Sequence, residues 1–106
     1  MSEWRNIARS DELSEGGAIE IVLEGRIIAV FRSDGALHAI DGMCAHQGGP
    51  LAKGVVAHGC VTCPWHGWQY ELATGIQCVN RQPLQQTFEV RESDDGCIEV
   101  KLEVEA

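Results

Sequence analysis

A chain of 106 residues, 44% apolar and 23% charged, has the material for one modest hydrophobic core and a single domain over 1–106. Its formal net charge of −8 argues against nucleic acid or an anionic membrane as a partner. The longest unbroken apolar run, residues 27–31, is strand-sized and far short of the ~18 residues of a membrane span, and the N-terminal Met-Ser-Glu-Trp-Arg lacks the basic and apolar regions of a signal peptide, so a soluble, cytoplasmic protein is expected.

From the N-terminus, the first predicted element is a short helical turn around residues 11–14, with Ser10 as its cap and Gly16-Gly17 at its end. Beyond it, apolar and polar residues alternate through 18–23, 26–32, 37–40, 55–62, 87–91 and 98–104. Glu24-Gly25, Ser33-Asp34-Gly35, Thr74-Gly75 and Asp94-Asp95-Gly96 punctuate these runs with residues that accept tight turns. The expected fold class is all-β, an antiparallel sandwich or partly open barrel made of hairpins, with no repeat, linker or low-complexity segment.

Two turn-rich stretches, 41–50 and 63–68, break the strand pattern and read as loops at one end of the sheets. The first contains Cys44-Ala45-His46 and then Gly48-Gly49-Pro50; sixteen residues separate His46 from Cys63-Pro64-Trp65-His66, which runs straight into Gly67. Two thiolates and two imidazoles could hold a [2Fe-2S] centre in which two His replace two Cys on one iron, or a tetrahedral Cys2His2 zinc. The first makes an electron carrier, the second a non-redox structural or regulatory module. Zinc fingers place roughly two to four residues between paired ligands and put their histidines on a helix. Here one residue separates Cys44 from His46, and no helical pattern is near.

The stretch from Cys44 through His46 to Pro50-Leu51, then Cys63-Pro-Trp-His66-Gly67-Trp68-Gln-Tyr70 and Thr74-Gly75, closely resembles the Rieske family, in particular the soluble ferredoxins of bacterial ring-hydroxylating oxygenases. The resemblance covers nearly the whole chain, with the cluster-binding portion at about 41–70. It implies a Rieske-like sandwich whose two loops clasp one [2Fe-2S] cluster, with Cys44 and Cys63 on the inner iron and His46 and His66 on the outer. Gly48, Gly49, Pro50, Trp65, Gly67, Trp68 and Tyr70 would surround it. The implied partners are an NAD(P)H-dependent flavoprotein reductase and a terminal oxygenase, docking transiently near His46 and His66. An assimilatory nitrite reductase small subunit shares this fold and is the alternative within electron transfer.

Exchanging two thiolates for neutral imidazoles brings the oxidised site from a charge of minus two to zero, so an electron is added more easily than to an all-Cys cluster. Rieske potentials accordingly span ~ −150 to +300 mV against ~ −400 mV for plant-type clusters. The high-potential members in respiratory complexes carry a further Cys in each loop, joined as a disulfide, and a Ser two residues after the second His. This chain has Gly49 and Trp65 at the first two positions and Trp68 at the third, while Tyr70 keeps the family's hydroxyl. Fewer donors to the cluster sulfurs predict a potential near the low end, ~ −150 mV.

The remaining chemistry-bearing residues receive plainer readings. Cys60, Cys78 and Cys97 are expected to be small buried apolar residues, and the C-x-x-C of Cys60 and Cys63 is subordinate to the ligand role of Cys63. His38 and His58 are read as structural or solvent-facing strand residues, and Arg81 as a loop brace or an exposed side chain. Trp65 is expected to contact a partner and Trp68 to pack. Asp41 and Lys53 are the nearest charges to the two loops. The chain has no room for the separate mononuclear iron site of an oxygenase, so it is expected to carry electrons and perform no chemistry of its own.

Overall fold

The computed structural model describes residues 2–44, 48–65 and 67–103. Among the described residues the secondary structure is almost all β, in three antiparallel sheets that do not close into a barrel. One sheet orders β1 (Ser2–Arg9), β10 (Cys97–Glu103) and β9 (Val90–Glu92). A second orders β2 (Ala18–Leu23), β3 (Arg26–Ser33), β4 (Ala36–Asp41) and β8 (Thr87–Phe88). The third, small sheet is β5 (Val55–Ala57), β6 (Cys60–Thr62) and β7 (Gln69–Glu71).

Three hairpins share one turn chemistry. Glu24-Gly25, Asp34-Gly35 and His58-Gly59 each place two successive residues at positive φ, between 50° and 77°, the two-residue loop whose twist matches its flanking strands. The flanking pairs Leu23 with Arg26, Ser33 with Ala36 and Ala57 with Cys60 then set the registers. The third turn divides the predicted run 55–62 into β5 and β6, so His58 sits exposed in a turn and not in a strand.

β3 explains the apolar run at 27–31, because it is buried on both faces. Ala29 and Phe31 enter one core with Ile40, Leu51, Val61, Tyr70, Leu72, Cys44 and Cys63, while Ile28 and Val30 enter the other with Leu13, Ala39, Ile98 and Val100. The four-stranded sheet is thus the middle layer. Its burial removes water from both sides of one strand, at about 1.5–3 kcal/mol for each large apolar side chain.

Two further expectations are corrected. The helical turn is a 3-10 turn at Ser10–Glu12, with Arg9 and not Ser10 in the cap position; the Glu12 carboxylate accepts the Arg9 N–H at 2.8 Å. It ends early because Leu13, 2% exposed, leaves it to fill the second core. The run 87–91 is two strands: Thr87–Phe88 pairs with β4 and Val90–Glu92 with β10, so the chain changes sheets at Glu89. Residue 104, the end of the last predicted run, lies outside the described residues. Arg32 helps tie the layers, donating to the Leu13 carbonyl at 2.7 Å and pairing with Glu92 at 3.0 Å, which holds the Glu92 carboxyl down to about 2.

Candidate metal centre

The first loop leaves β4 and the second joins β6 to β7, and each is closed by its own cysteine. The Cys44 N–H donates to the Gly49 carbonyl at 2.9 Å, and the Cys63 N–H to the Trp68 carbonyl at 2.7 Å. In both, the bond spans five residues, so the two loops share one kind of stem although the first leaves the four-stranded sheet and the second the small one. Gly48, at φ +73°, donates back to the Cys44 carbonyl at 2.7 Å. Met43 bridges to Pro50, and Pro50 leads into a 3-10 turn, Leu51–Lys53, whose Leu51 is fully buried.

These stems bring the two thiols together in the core. Cys44 is 3% and Cys63 2% exposed, and the Tyr70 hydroxyl, itself fully buried, lies 3.1 Å from the Cys44 sulfur. The Trp65 N–H donates to the Cys63 sulfur at 3.4 Å. Burial pushes the Cys63 thiol up, the Trp65 amide pulls it down, and the adjoining Cys44 thiol pushes it up again. Two neighbouring buried thiols resist ionising unless a cation supplies compensating charge, which is the chemistry of a metal–thiolate site.

Gly49 is where the two loops meet. A Cβ there would lie 2.7 Å from the Cys63 sulfur and 3.1 Å from Trp65 Cβ, so only a glycine leaves the sulfur its place. Trp65 is 49% exposed, whereas Trp68 is half-buried and packs on the core. Gly67 adopts φ +75° beside it. Met43, 48% exposed, adds a second apolar side chain near the loops. The Asp41 carboxylate accepts the Met43 N–H at 3.1 Å and so shapes the first loop. His46 and His66 lie outside the described residues.

The sequence did not single out Gln85, which supports the first loop from behind. It is 3% exposed, and its Nε2 donates to the carbonyls of Asp41 at 3.0 Å and Met43 at 2.7 Å. Gln77, 4% exposed, performs a similar task one turn earlier, accepting the N–H groups of Val79 at 2.8 Å and Asn80 at 2.6 Å. Nothing in Arg-Gln-Pro-Leu-Gln-Gln distinguishes a buried amide from an exposed one. Arg81 braces the same segment, at φ +61° and 2.8 Å from the Glu71 carboxylate. His38 is half-buried on β4, in a groove with Trp4 and Phe88.

Replacing Gln85 with leucine keeps the volume and strands two carbonyls without their donor. Two lost hydrogen bonds in a buried setting are expected to lower stability by about 2–4 kcal/mol. Urea unfolding of the metal-loaded protein measures this; an unchanged midpoint would show that solvent replaces the amide.

The family model of the Rieske [2Fe-2S] domain matches residues 3–92. The anthranilate 1,2-dioxygenase ferredoxin subunit of Burkholderia cepacia is 31% identical over 103 residues, covering 96% of this chain and 94% of that one. A Rieske domain-containing protein of Homo sapiens is 34% identical over 73 residues, 65% of this chain, and this chain spans only 46% of its length. Among solved structures, one described as an NADH-dependent nitrite reductase small subunit from Mycobacterium tuberculosis superposes with a TM-score of 0.90 at 22% identity, covering 98% of both chains. A chain from the complex of reduced oxygenase and oxidised ferredoxin in carbazole 1,9a-dioxygenase superposes with a TM-score of 0.82 at 22% identity, covering 92% of this chain and 91% of that one. Among the described residues, no helix is long and apolar enough to cross a membrane.

Proposed function

This chain belongs to the Rieske [2Fe-2S] family, and from that premise we propose that Cys44, His46, Cys63 and His66 hold its cluster and that it carries electrons one at a time from a flavoprotein reductase to a terminal ring-hydroxylating oxygenase. A ferredoxin-type electron carrier with one cluster on two Cys and two His is the family's form. The observation that carries the residue assignment is the meeting of two buried thiols at the closed ends of matching loops, with a tyrosine hydroxyl on one of them. The near-complete overlap with a dioxygenase ferredoxin subunit supports the oxygenase role. The same overlap supports one domain over the whole chain, and a cytoplasmic site of action is part of the proposal.

When bound, the cluster supplies a site that accepts and releases a single electron. The protein's own residues govern where that site lies and how it is tuned. Cys44 and Cys63, 3% and 2% exposed, would hold it from the side of the core. The Tyr70 hydroxyl donates to the Cys44 thiolate and the Trp65 amide to Cys63, and both bonds favour the form with more negative charge on sulfur. Gly49 keeps the sulfur of Cys63 unobstructed. Half-exposed Trp65 and Met43 offer apolar surface beside the loops for a transient partner.

Film voltammetry across pH tests this. The expected wave lies near ~ −150 mV, flat around neutrality and falling in alkali, because oxidation then releases a proton from a ligand imidazole. In Tyr70→Phe the wave is expected to move down by about 40–90 mV, the equivalent of 1–2 kcal/mol of hydrogen bonding lost from the reduced form. A metal-loaded protein with no wave would point to zinc. The nitrite reductase reading has the 0.90 superposition in its favour, which at 22% identity concerns the fold alone; electron transfer to a purified dioxygenase oxygenase component separates the two.

A further inference from the structure

Three cysteines remain outside the proposed ligand set, and two of them touch. Cys60 opens β6 and Cys78 follows β7, and their sulfurs stand 3.5 Å apart in residues that are both half-buried. They approach across β7: Cys60 is paired with Glu71, while the Cys78 N–H donates to the Gln69 carbonyl at 2.9 Å. We propose that Cys60 and Cys78 form an oxidation site that closes a reversible disulfide when it meets a low-molecular-weight disulfide such as oxidised glutathione.

The sulfurs need to close by ~1.5 Å to reach bonding distance, and because strands that flank a third lie ~9–10 Å apart, the backbone at Cys78 must move inward as well. Cys78 is placed to move, because it begins the turn that carries Val79, 84% exposed, around to Arg81. A bond reaching over an intervening strand belongs to the readily reduced kind, as a reversible site requires. The chemistry balances without any further reagent. One protein thiolate attacks a sulfur of the small disulfide, forming a mixed disulfide and expelling one small thiolate. The second protein sulfur then gives up its proton, attacks the mixed disulfide and expels the other. Two protein thiols are oxidised, one small disulfide is reduced to two thiols, and the two protons end on those. Burial, reinforced by Cys60, pushes the Cys78 thiol well above its usual range, so Cys78 rests as the thiol until the mixed disulfide brings a leaving group to it.

The bond would clip β6, which leads directly into the Cys63 loop, to the 72–86 segment, which delivers Gln85 to the Cys44 loop. Oxidation would thereby fasten both loops from behind without using a ligand cysteine.

The test incubates the cluster-loaded protein with oxidised glutathione and reads intact mass and linked peptides under non-reducing conditions. The expected result is loss of the mass of two hydrogen atoms, a Cys60–Cys78 linked peptide, full reversal by dithiothreitol and unchanged visible absorption. Cys78→Ser should instead retain one glutathione on Cys60, and Cys97→Ser should behave as the parent. A persistent glutathione adduct on the parent, no change in mass, or a bond involving Cys97, Cys44 or Cys63 would overturn the proposal.

Discussion

Cys63→Ser is expected to purify colourless, with iron and acid-labile sulfide reduced to background. The cysteine lies 2% exposed at the head of a loop closed by its own N–H on the Trp68 carbonyl, so backbone geometry alone fixes where its sulfur points. Serine fits that space, yet its hydroxyl stays protonated at neutral pH and offers iron no thiolate. It also leaves a polar atom in an apolar core beside Cys44, at a cost of about 1–3 kcal/mol. Cys97→Ser, on β10 and away from the loops, is the control and should keep its colour. Iron content and visible absorption of the two proteins decide the matter: a coloured Cys63→Ser protein would remove Cys63 from the ligand set. His46→Ala and His66→Ala extend the same assay to the other two proposed ligands.

Gly75→Ala is the second large effect. Gly75 follows β7 with φ +75°, and a Cβ there would fall 1.9 Å from the Gln85 carbonyl oxygen, a position that no side-chain rotation relieves. Gly59 shares that φ of +75° and has nothing within 4 Å, so Gly59→Ala isolates the backbone contribution. The control should lose about 1 kcal/mol and Gly75→Ala more than about 3 kcal/mol, the difference being the cost of driving the two segments apart. Because Gln85 moves with them, its amide should also leave the Asp41 and Met43 carbonyls. Urea midpoints of both variants, compared at equal slope, measure the difference. Equal losses would mean that the 72–86 segment shifts aside freely and does not brace the first loop.

The parts of the fold that could be read in advance are those where pattern and turn agree. β2 alternates, β3 is a strand-length apolar run, and Glu24-Gly25 and Asp34-Gly35 bound β2, β3 and β4 with the residues that such turns require. His58-Gly59 makes the same turn, but histidine is not a turn residue by habit, and β5 and β6 therefore merged into one run. β7 has three residues of which only Tyr70 faces the core, too few for any period to show. β1 is polar along most of its length and is held as an edge strand by β10, with a bulge between Asn6 and Ala8. The two loops proposed to hold the cluster stood out in the sequence because ligand chemistry tolerates few residue types at few spacings. The bracing of the first loop did not, since Gln85 acts through carbonyls that every sequence possesses.

β3 has one more bearing on how this protein lives in a cell. Its residues 28–31 are shared by two cores that hold different sheets, so neither half can melt while the other stands. The chain should consequently unfold as one cooperative unit, although the cluster is proposed for the loop end alone. Iron supply is then coupled to survival of the whole polypeptide: a copy that never receives its cluster is the weaker member of the pool at both ends, and proteases would clear it along its full length rather than nibble at its loops.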